Sequence, residues 1–216
     1  MENMENQRKI KLFAFDANGT IFDDTVSFWK AINGIFPRFG KESLSSEVLK
    51  EKFGQPWTKI YRDNGISEET ASDQKLYEIY NELYTNEDAP RLFDDVELVL
   101  GWLKEKGIIL AIVSTQQNSI TERLLKHYGL ENLFTCLEGG VSDKSEALKG
   151  LFKKLNVLPE EAAYMGDQEG DILHAKKAGC NSVGFCGGLH DLERLSKVKP
   201  DFLIHNYQEI KEIPIF

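Results

Sequence analysis

Lys11-Leu12-Phe13-Ala14-Phe15-Asp16-Ala17-Asn18-Gly19-Thr20 is the stretch on which the fold turns. Its first five residues form a short apolar run that reads as a buried strand, and the run ends on an acid. The pattern recurs downstream. Ile108–Ser114 (IILAIVS) is a second such run, and Ala162–Met165, followed by Gly166-Asp167, is a third. Asn181–Phe185 and Phe202–Ile204 read as two more strands. Helical periodicity fills the gaps: Val96–Lys106 stopping at Gly107, and Ile120–Tyr128 stopping at Gly129 with Asn118 or Ser119 as its cap. Ser145–Leu155 follows, and then Asp171–Ala178, which stops at Gly179. Strands alternating with helices predict an α/β fold, a doubly wound parallel sheet covered on both faces.

Residues 25–90 break this alternation. Phe28, Ile32, Ile35 and Phe36, and later Leu76, Ile79, Tyr80 and Leu83, recur at helical spacing with no convincing strand among them. The expected organisation is therefore an α/β core from 1–24 and 91–216, with an all-helical domain inserted at 25–90.

Composition narrows the function classes. The chain has 216 residues, 41% hydrophobic and 28% charged, which argues against wholesale disorder. Its 17 Gly and 3 Cys exclude collagenous and disulfide-scaffold classes. Cys136, Cys180 and Cys186 lack metal-like spacing and are expected to be reduced and buried. The run Ile108–Val113 is too short to cross a bilayer, and Met1–Lys11 has no apolar signal core, so a cytoplasmic protein is expected. A net charge of −9 without blocks of like charge argues against nucleic acid and anionic membranes as partners. A small anion or a divalent cation in a local acidic site is compatible with it.

Ligands of open parallel sheets bind outside the carboxyl ends of the strands. There the sequence places Asp16-Ala17-Asn18-Gly19-Thr20, Ser114-Thr115, and Gly166-Asp167-Gln168-Glu169-Gly170-Asp171. One edge thus gathers Asp16, Asp167 and Asp171 with a hydroxyl between them, an oxygen donor set suited to Mg²⁺. Each piece has a plainer meaning. Asn18-Gly19 is a strong hairpin signal between KLFAF and TIF, and alone that is its commoner use. Ser114 suits a helix cap, and Asp171 suits a first-turn acid that balances the helix dipole. Lys144 precedes a helix, where a cation opposes the dipole unless an anion accompanies it. Alone it would be a solvated lysine.

FDANGTIFD at 15–23, IVST at 112–115, Lys144 and GDQEGD at 166–171, in that order, resemble the haloacid dehalogenase superfamily of phosphatases. The helical insertion resembles the cap of its phosphoglycolate phosphatase and β-phosphoglucomutase-like branch, and the resemblance runs from about Lys11 to the end. It implies a Rossmann-like core, a helical cap that closes over the site, and hydrolysis of a small phosphorylated metabolite through an aspartyl-phosphate on Asp16. It further implies Mg²⁺ held by Asp16, the backbone carbonyl of Asn18 and Asp167, with support from Asp171. Ser114 and Lys144 would bind the phosphoryl oxygens, beside Gly19, Thr20 and Thr115. In the cap, Gly54-Gln55-Pro56, Trp57, Lys59 and Arg62 fall where selectivity residues sit, although Trp57 and Tyr61 also suit cap core. A monomer is the default for this architecture.

The sequence departs from the pattern at Asn18, where the family's phosphatases carry an aspartate as acid and base, and at Thr115, where Asn is common. An amide has no proton to give at neutral pH. The readings are a phosphatase weakened or restricted to good leaving groups, a relative that binds a phosphorylated ligand without turnover, or an Asp exchanged for Asn. Deamidation at Asn18-Gly19 would regenerate an acid. The superfamily's metal-independent dehalogenases also open with Asp-Ala-x-Gly-Thr, but they lack the pair Gly166-Asp167.

Overall fold

The computed structural model describes residues 9–54, 56–84 and 90–215. It divides into two compact units, Met1–Asp23 with Leu92–Phe216, and Asp24–Arg91. The strands are β1 (Leu12–Phe15), β2 (Phe22–Asp23), β3 (Arg91–Leu92), β4 (Ile109–Val113), β5 (Cys136–Glu138), β6 (Ala162–Gly166), β7 (Asn181–Phe185) and β8 (Phe202–Ile204). The α-helices are α1 (Thr25–Arg38), α2 (Ser46–Lys52), α3 (Lys59–Asp63), α4 (Asp73–Leu83), α5 (Val96–Glu105), α6 (Asn118–His127), α7 (Lys144–Leu155), α8 (Glu169–Ala178) and α9 (Leu192–Lys197).

Six strands form one sheet in the order β5-β4-β1-β6-β7-β8. Every pairing in it is parallel, with Phe15 beside Ile112 on one side and Met165 on the other. The sheet is doubly covered because its strands are apolar on both faces. Phe13, Phe15, Leu110, Ile112 and Met165 join one core cluster, while Leu12, Ala14, Ala111, Val113 and Tyr164 join the other. This is the predicted α/β architecture.

Parallel pairing on both sides of β1 leaves no room for the hairpin that Asn18-Gly19 suggests. The chain makes a tight turn instead. Ile21 and Phe22 donate to Ala17 O, and Gly19 N donates to Phe22 O at 2.8 Å. β2 then pairs with β3 in a separate two-stranded sheet. Three short strands, β2, β3 and β5, escape the sequence reading because Phe-Asp, Arg-Leu and Cys-Leu-Glu contain no apolar run. α6 starts at Asn118 with Gln117 as its cap residue, one position before the expected cap, and Lys144 is the first residue of α7 rather than the residue before it. Cys136 and Cys180 are buried and Cys186 is half-buried, all three free.

The second unit is helical, with α1 packed on α4. Ile32, Ile35, Phe36, Leu76 and Ile79 are buried there, as their spacing predicts. Trp57 meets Tyr61 edge-on at 5.7 Å, and the Tyr61 hydroxyl donates to Ile32 O at 3.0 Å. Both residues therefore serve the interior of this unit. Gln55 lies outside the described residues.

Candidate active site

Asp16 continues the β1 ladder by donating its backbone N–H to Met165 O at 2.8 Å, which fixes its side chain at the carboxyl edge. Asp167 follows β6 directly. Asp171 lies in the first turn of α8, where Oδ2 accepts from Gln168 N at 3.0 Å in a reciprocal cap. Carboxylate oxygens of Asp16, Asp167 and Asp171 all lie within 4.8 Å of one another, and all three residues are buried.

One ammonium stands among them. Lys144 Nζ is 2.8 Å from Asp16 Oδ2 and 2.7 Å from Asp171 Oδ1. These two anions answer the problem of a buried cation at a helix N-terminus. Burial works against its charge, and the two carboxylates outweigh that and lift its pKa above the ordinary lysine value. Asp167 is different. Its Oδ2 accepts from Leu189 N at 2.8 Å and its Oδ1 from the Thr20 hydroxyl at 3.3 Å, and among the described residues no cationic side chain pairs with it. Burial, then the charges of Asp171 and Asp16, push its carboxyl well above the usual range. Asp16 is also raised, by burial first, with Lys144 pulling the other way.

Three buried carboxylates around one ammonium leave a negative excess that a divalent cation would neutralise. The donors are oxygens alone, so the set fits a hard ion such as Mg²⁺.

Ser114 directly follows β4, its backbone N–H donating to Glu138 O at 3.0 Å. Its buried hydroxyl accepts from Gln116 N at 3.2 Å and also bonds the Asp16 carboxylate. Thr20 is fully buried and its carbonyl accepts from the Tyr207 hydroxyl at 2.8 Å, so the turn after β1 is tied to the C-terminal segment. Gly19 sits at φ +71°, and a Cβ there would lie 2.2 Å from Asp167 Oδ2. Only glycine allows this approach. Asn18 is half-buried at the tip of the same turn, and Thr115 is exposed.

The structure thus brings Asp16, Ser114, Lys144, Asp167 and Asp171 together, with Thr20 bonded to Asp167. Lys59 and Arg62 belong to the helical unit. Lys59 pairs with Asp63 along α3, with both side chains mostly solvated. Arg62 donates to Ile66 O and Ala71 O and pairs with Glu68 and Asp73, a set of bonds that holds its own unit together.

Two groups escaped the sequence reading. Gly187–His190 follow β7 at the same edge, and a Cβ on Gly188 would lie 2.2 Å from Gly19 O. His190 N donates to Asp167 O at 3.2 Å, and its Nδ1 accepts from Glu169 N at 3.1 Å. Burial, helped by the Arg194 charge, pulls its imidazole down to about 4, so it is neutral at pH 7. The Gly-Gly pair at a fourth strand end was the available signal. Tyr164, within β6, gave none, because an aromatic in an apolar strand reads as core.

The family model of haloacid dehalogenase-like hydrolases matches residues 13–185. The chain belongs to the haloacid dehalogenase-like hydrolases. Among curated relatives of this hydrolase are phosphoglycolate phosphatases along its full length. The one from Vibrio parahaemolyticus is 27% identical over 221 residues, covering 96% of this chain and 97% of the relative. That from Neisseria meningitidis is 29% identical over 218 residues, covering 94% and 93%. A haloacid dehalogenase-like hydrolase from Streptococcus pneumoniae has the same fold, with a TM-score of 0.82 at 21% identity over 94% of this chain and 97% of the other. No helix among the described residues is long and apolar enough to cross a membrane.

Proposed function

We propose that this hydrolase is a cytoplasmic, Mg²⁺-dependent phosphatase that cleaves a small phosphorylated metabolite through an aspartyl-phosphate on Asp16, working as a monomer. The observation that carries the reading is the buried trio Asp16, Asp167 and Asp171 at the sheet edge, with Lys144 bridging two of its members. The relatives named phosphoglycolate phosphatase support the class of reaction.

In this reading Asp16, Asp167, Asp171 and the backbone carbonyl of Asn18 would hold Mg²⁺. When bound, the ion supplies screening between the attacking carboxylate and the phosphate and draws charge from the phosphoryl oxygens. Asp16 attacks phosphorus, the P–O bond to the leaving oxygen breaks, and a mixed anhydride forms on Asp16. Lys144 and Ser114 donate to the equatorial oxygens as charge spreads over them, and the backbone around Gly19, Thr20 and Thr115 shapes their cradle. Lys144 has to release at least one carboxylate to do so. Water then cleaves the anhydride and frees phosphate. Asn18 stands where the family's phosphatases place an acid and base, and such help is worth roughly 10²- to 10⁴-fold. The chain should therefore favour esters with good leaving groups. The helical unit at 25–90 is proposed as the cap, with Lys59 its candidate substrate contact and Arg62 its internal tie.

The test is Mg²⁺-dependent hydrolysis of p-nitrophenyl phosphate by the parent, Asp16→Asn and Asn18→Asp. Parent activity that Asp16→Asn abolishes and Asn18→Asp raises supports the phosphatase. Silence in all three, despite Mg²⁺ binding, favours the second reading that Asn18 raises, a protein that binds a phosphorylated ligand without turnover. Halide release from a haloacid without Mg²⁺ would instead favour dehalogenation.

A further inference from the structure

Tyr164 is fully buried in β6, two residues before Gly166. Its ring lies within the apolar cluster on one face of the sheet, where a phenylalanine would pack as well. The hydroxyl is what needs explaining. It sits 2.9 Å from Val113 O and 3.3 Å from Asp171 Oδ1. Val113 is the last residue of β4, immediately before Ser114. Asp171 Oδ1 is also the atom that receives Lys144 Nζ, and that ammonium lies 5.8 Å from the centre of the Tyr164 ring.

A phenol has a single hydrogen, so the two acceptors share it. A phenol is protonated at neutral pH, so the hydroxyl serves as a donor to both. One buried hydroxyl therefore joins the end of β4, the first turn of α8 and, through its ring, the head of α7. These are the elements that carry Ser114, Asp171 and Lys144.

We propose that Tyr164 is a positioning residue for the acidic cluster, its hydroxyl holding the Asp171 carboxylate in register with the end of β4 so that the cluster is organised to take a divalent cation. The assignment rests on the Mg²⁺ reading above. Asp171 has three donors on two oxygens: Lys144 Nζ and the Tyr164 hydroxyl on Oδ1, and Gln168 N on Oδ2. When a cation draws on Asp171 and Lys144 turns toward a phosphate, the hydroxyl and Gln168 N remain to hold its orientation. Partners of metal-binding groups that orient them in this way typically govern about 10- to 100-fold in metal affinity.

The experiment is calorimetric titration of Mg²⁺ into the unsubstituted chain and into Tyr164→Phe, with thermal melts of both in chelator. Tyr164→Phe retains the ring and its contact with Lys144, and removes only the hydroxyl. The expected result is a loss of about tenfold or more in Mg²⁺ affinity. In turnover, half-saturation by Mg²⁺ should move to higher concentration while the rate at saturating Mg²⁺ is largely kept. A lowered melting temperature with unchanged Mg²⁺ affinity would assign the hydroxyl to the fold alone and overturn the proposal. Absence of Mg²⁺ binding by the unsubstituted chain would overturn the metal reading itself, a separate outcome. Should Tyr164→Phe fail to fold, NMR of the unsubstituted protein with ¹³C at the tyrosine ζ-carbons takes its place. The Tyr164 signal, assigned from its ring contacts, is expected to move on saturation with Mg²⁺, and a stationary signal overturns the assignment.

Discussion

Asp167→Asn is expected to stabilise the metal-free protein and to remove its response to Mg²⁺. Among the described residues Asp167 has no cation of its own, and its carboxylate lies within 4.8 Å of two others. Two like charges that far apart repel by roughly 3.5 kcal/mol at an effective dielectric of about 20. Lys144 offsets part of this through its bonds to Asp16 and Asp171. The net relief from neutralising Asp167 is then about 1–3 kcal/mol, because an unpaired buried charge is costly and its removal strands no partner. An amide loses little in exchange. Its oxygen accepts from Leu189 N, and its Nδ2 donates to the Thr20 hydroxyl, preserving both contacts of the carboxylate.

The assay is thermal unfolding in chelator and at saturating Mg²⁺. In chelator the variant should melt roughly 2–12 °C above the parent, from the usual slope for a chain of this size. At a Mg²⁺ concentration 100 times its dissociation constant the parent gains about 2.7 kcal/mol by mass action, and the variant gains little. The order of stabilities should therefore close or reverse. A variant that melts below the parent in chelator and gains as much from Mg²⁺ would refute the charge argument, because Asp167 would then be a satisfied structural acid.

Two further outcomes follow from particular contacts. Gly188→Ala should lower the melting temperature by the equivalent of about 1–3 kcal/mol and weaken Mg²⁺ binding, because the added Cβ meets the backbone oxygen of Gly19 at 2.2 Å and Asp167 Cβ at 2.4 Å. Melts and a Mg²⁺ titration check both effects, and unchanged metal affinity would remove the loop after β7 from the site. Asp143 caps α7 through Ser145 N at 2.9 Å and pairs with Lys177 at 2.8 Å, and these bonds hold its carboxyl below the ordinary value of 3.8. A depressed acid contributes stability above its unfolded value that is lost as pH falls through the folded one. Asp143→Asn should accordingly melt below the parent at pH 7, with the gap narrowing below about pH 3.8 in a pH series of melts; a gap that stays constant would show that the cap, and not the charge, is at work.

Of the five strands that the sequence disclosed, β1, β4 and β6 are buried on both faces. In these three a continuous apolar run of four or more residues is its own signal, and its end marks the sheet edge. Asp16, Ser114 and Asp167 were legible for that reason alone. Lys144 was legible only as an anomaly, a cation where the dipole opposes one, and its partners required the fold. Gly187–His190 and Tyr164 were hidden by ordinariness: a glycine pair after a strand reads as a turn, and a tyrosine in a strand reads as core. Asn18-Gly19 showed the opposite fault, since a strong local hairpin signal lost to the non-local pairing of β1 on both sides. The turn survived, and its partner changed.

That loss has a chemical consequence. In a hairpin, Asp16 would sit in an antiparallel pair with its carboxylate in water, ionised like any exposed acid and needing no partner. The parallel sheet puts β4 and β6 on either side of β1, so the residues that follow all three strands must share one buried space. Ser114 and Asp167 arrive there by register, and Asp171 arrives because α8 begins as soon as β6 ends. A structural ion network would be expected to balance its charges, since uncompensated buried charge is costly. Among the described residues it does not: one ammonium faces three carboxylates, and the acid it does not bond, Asp167, is the one whose burial pushes its pKa well above the usual range. The fold has assembled an anionic site that its own side chains leave incomplete, and a divalent cation is the species whose binding would complete it.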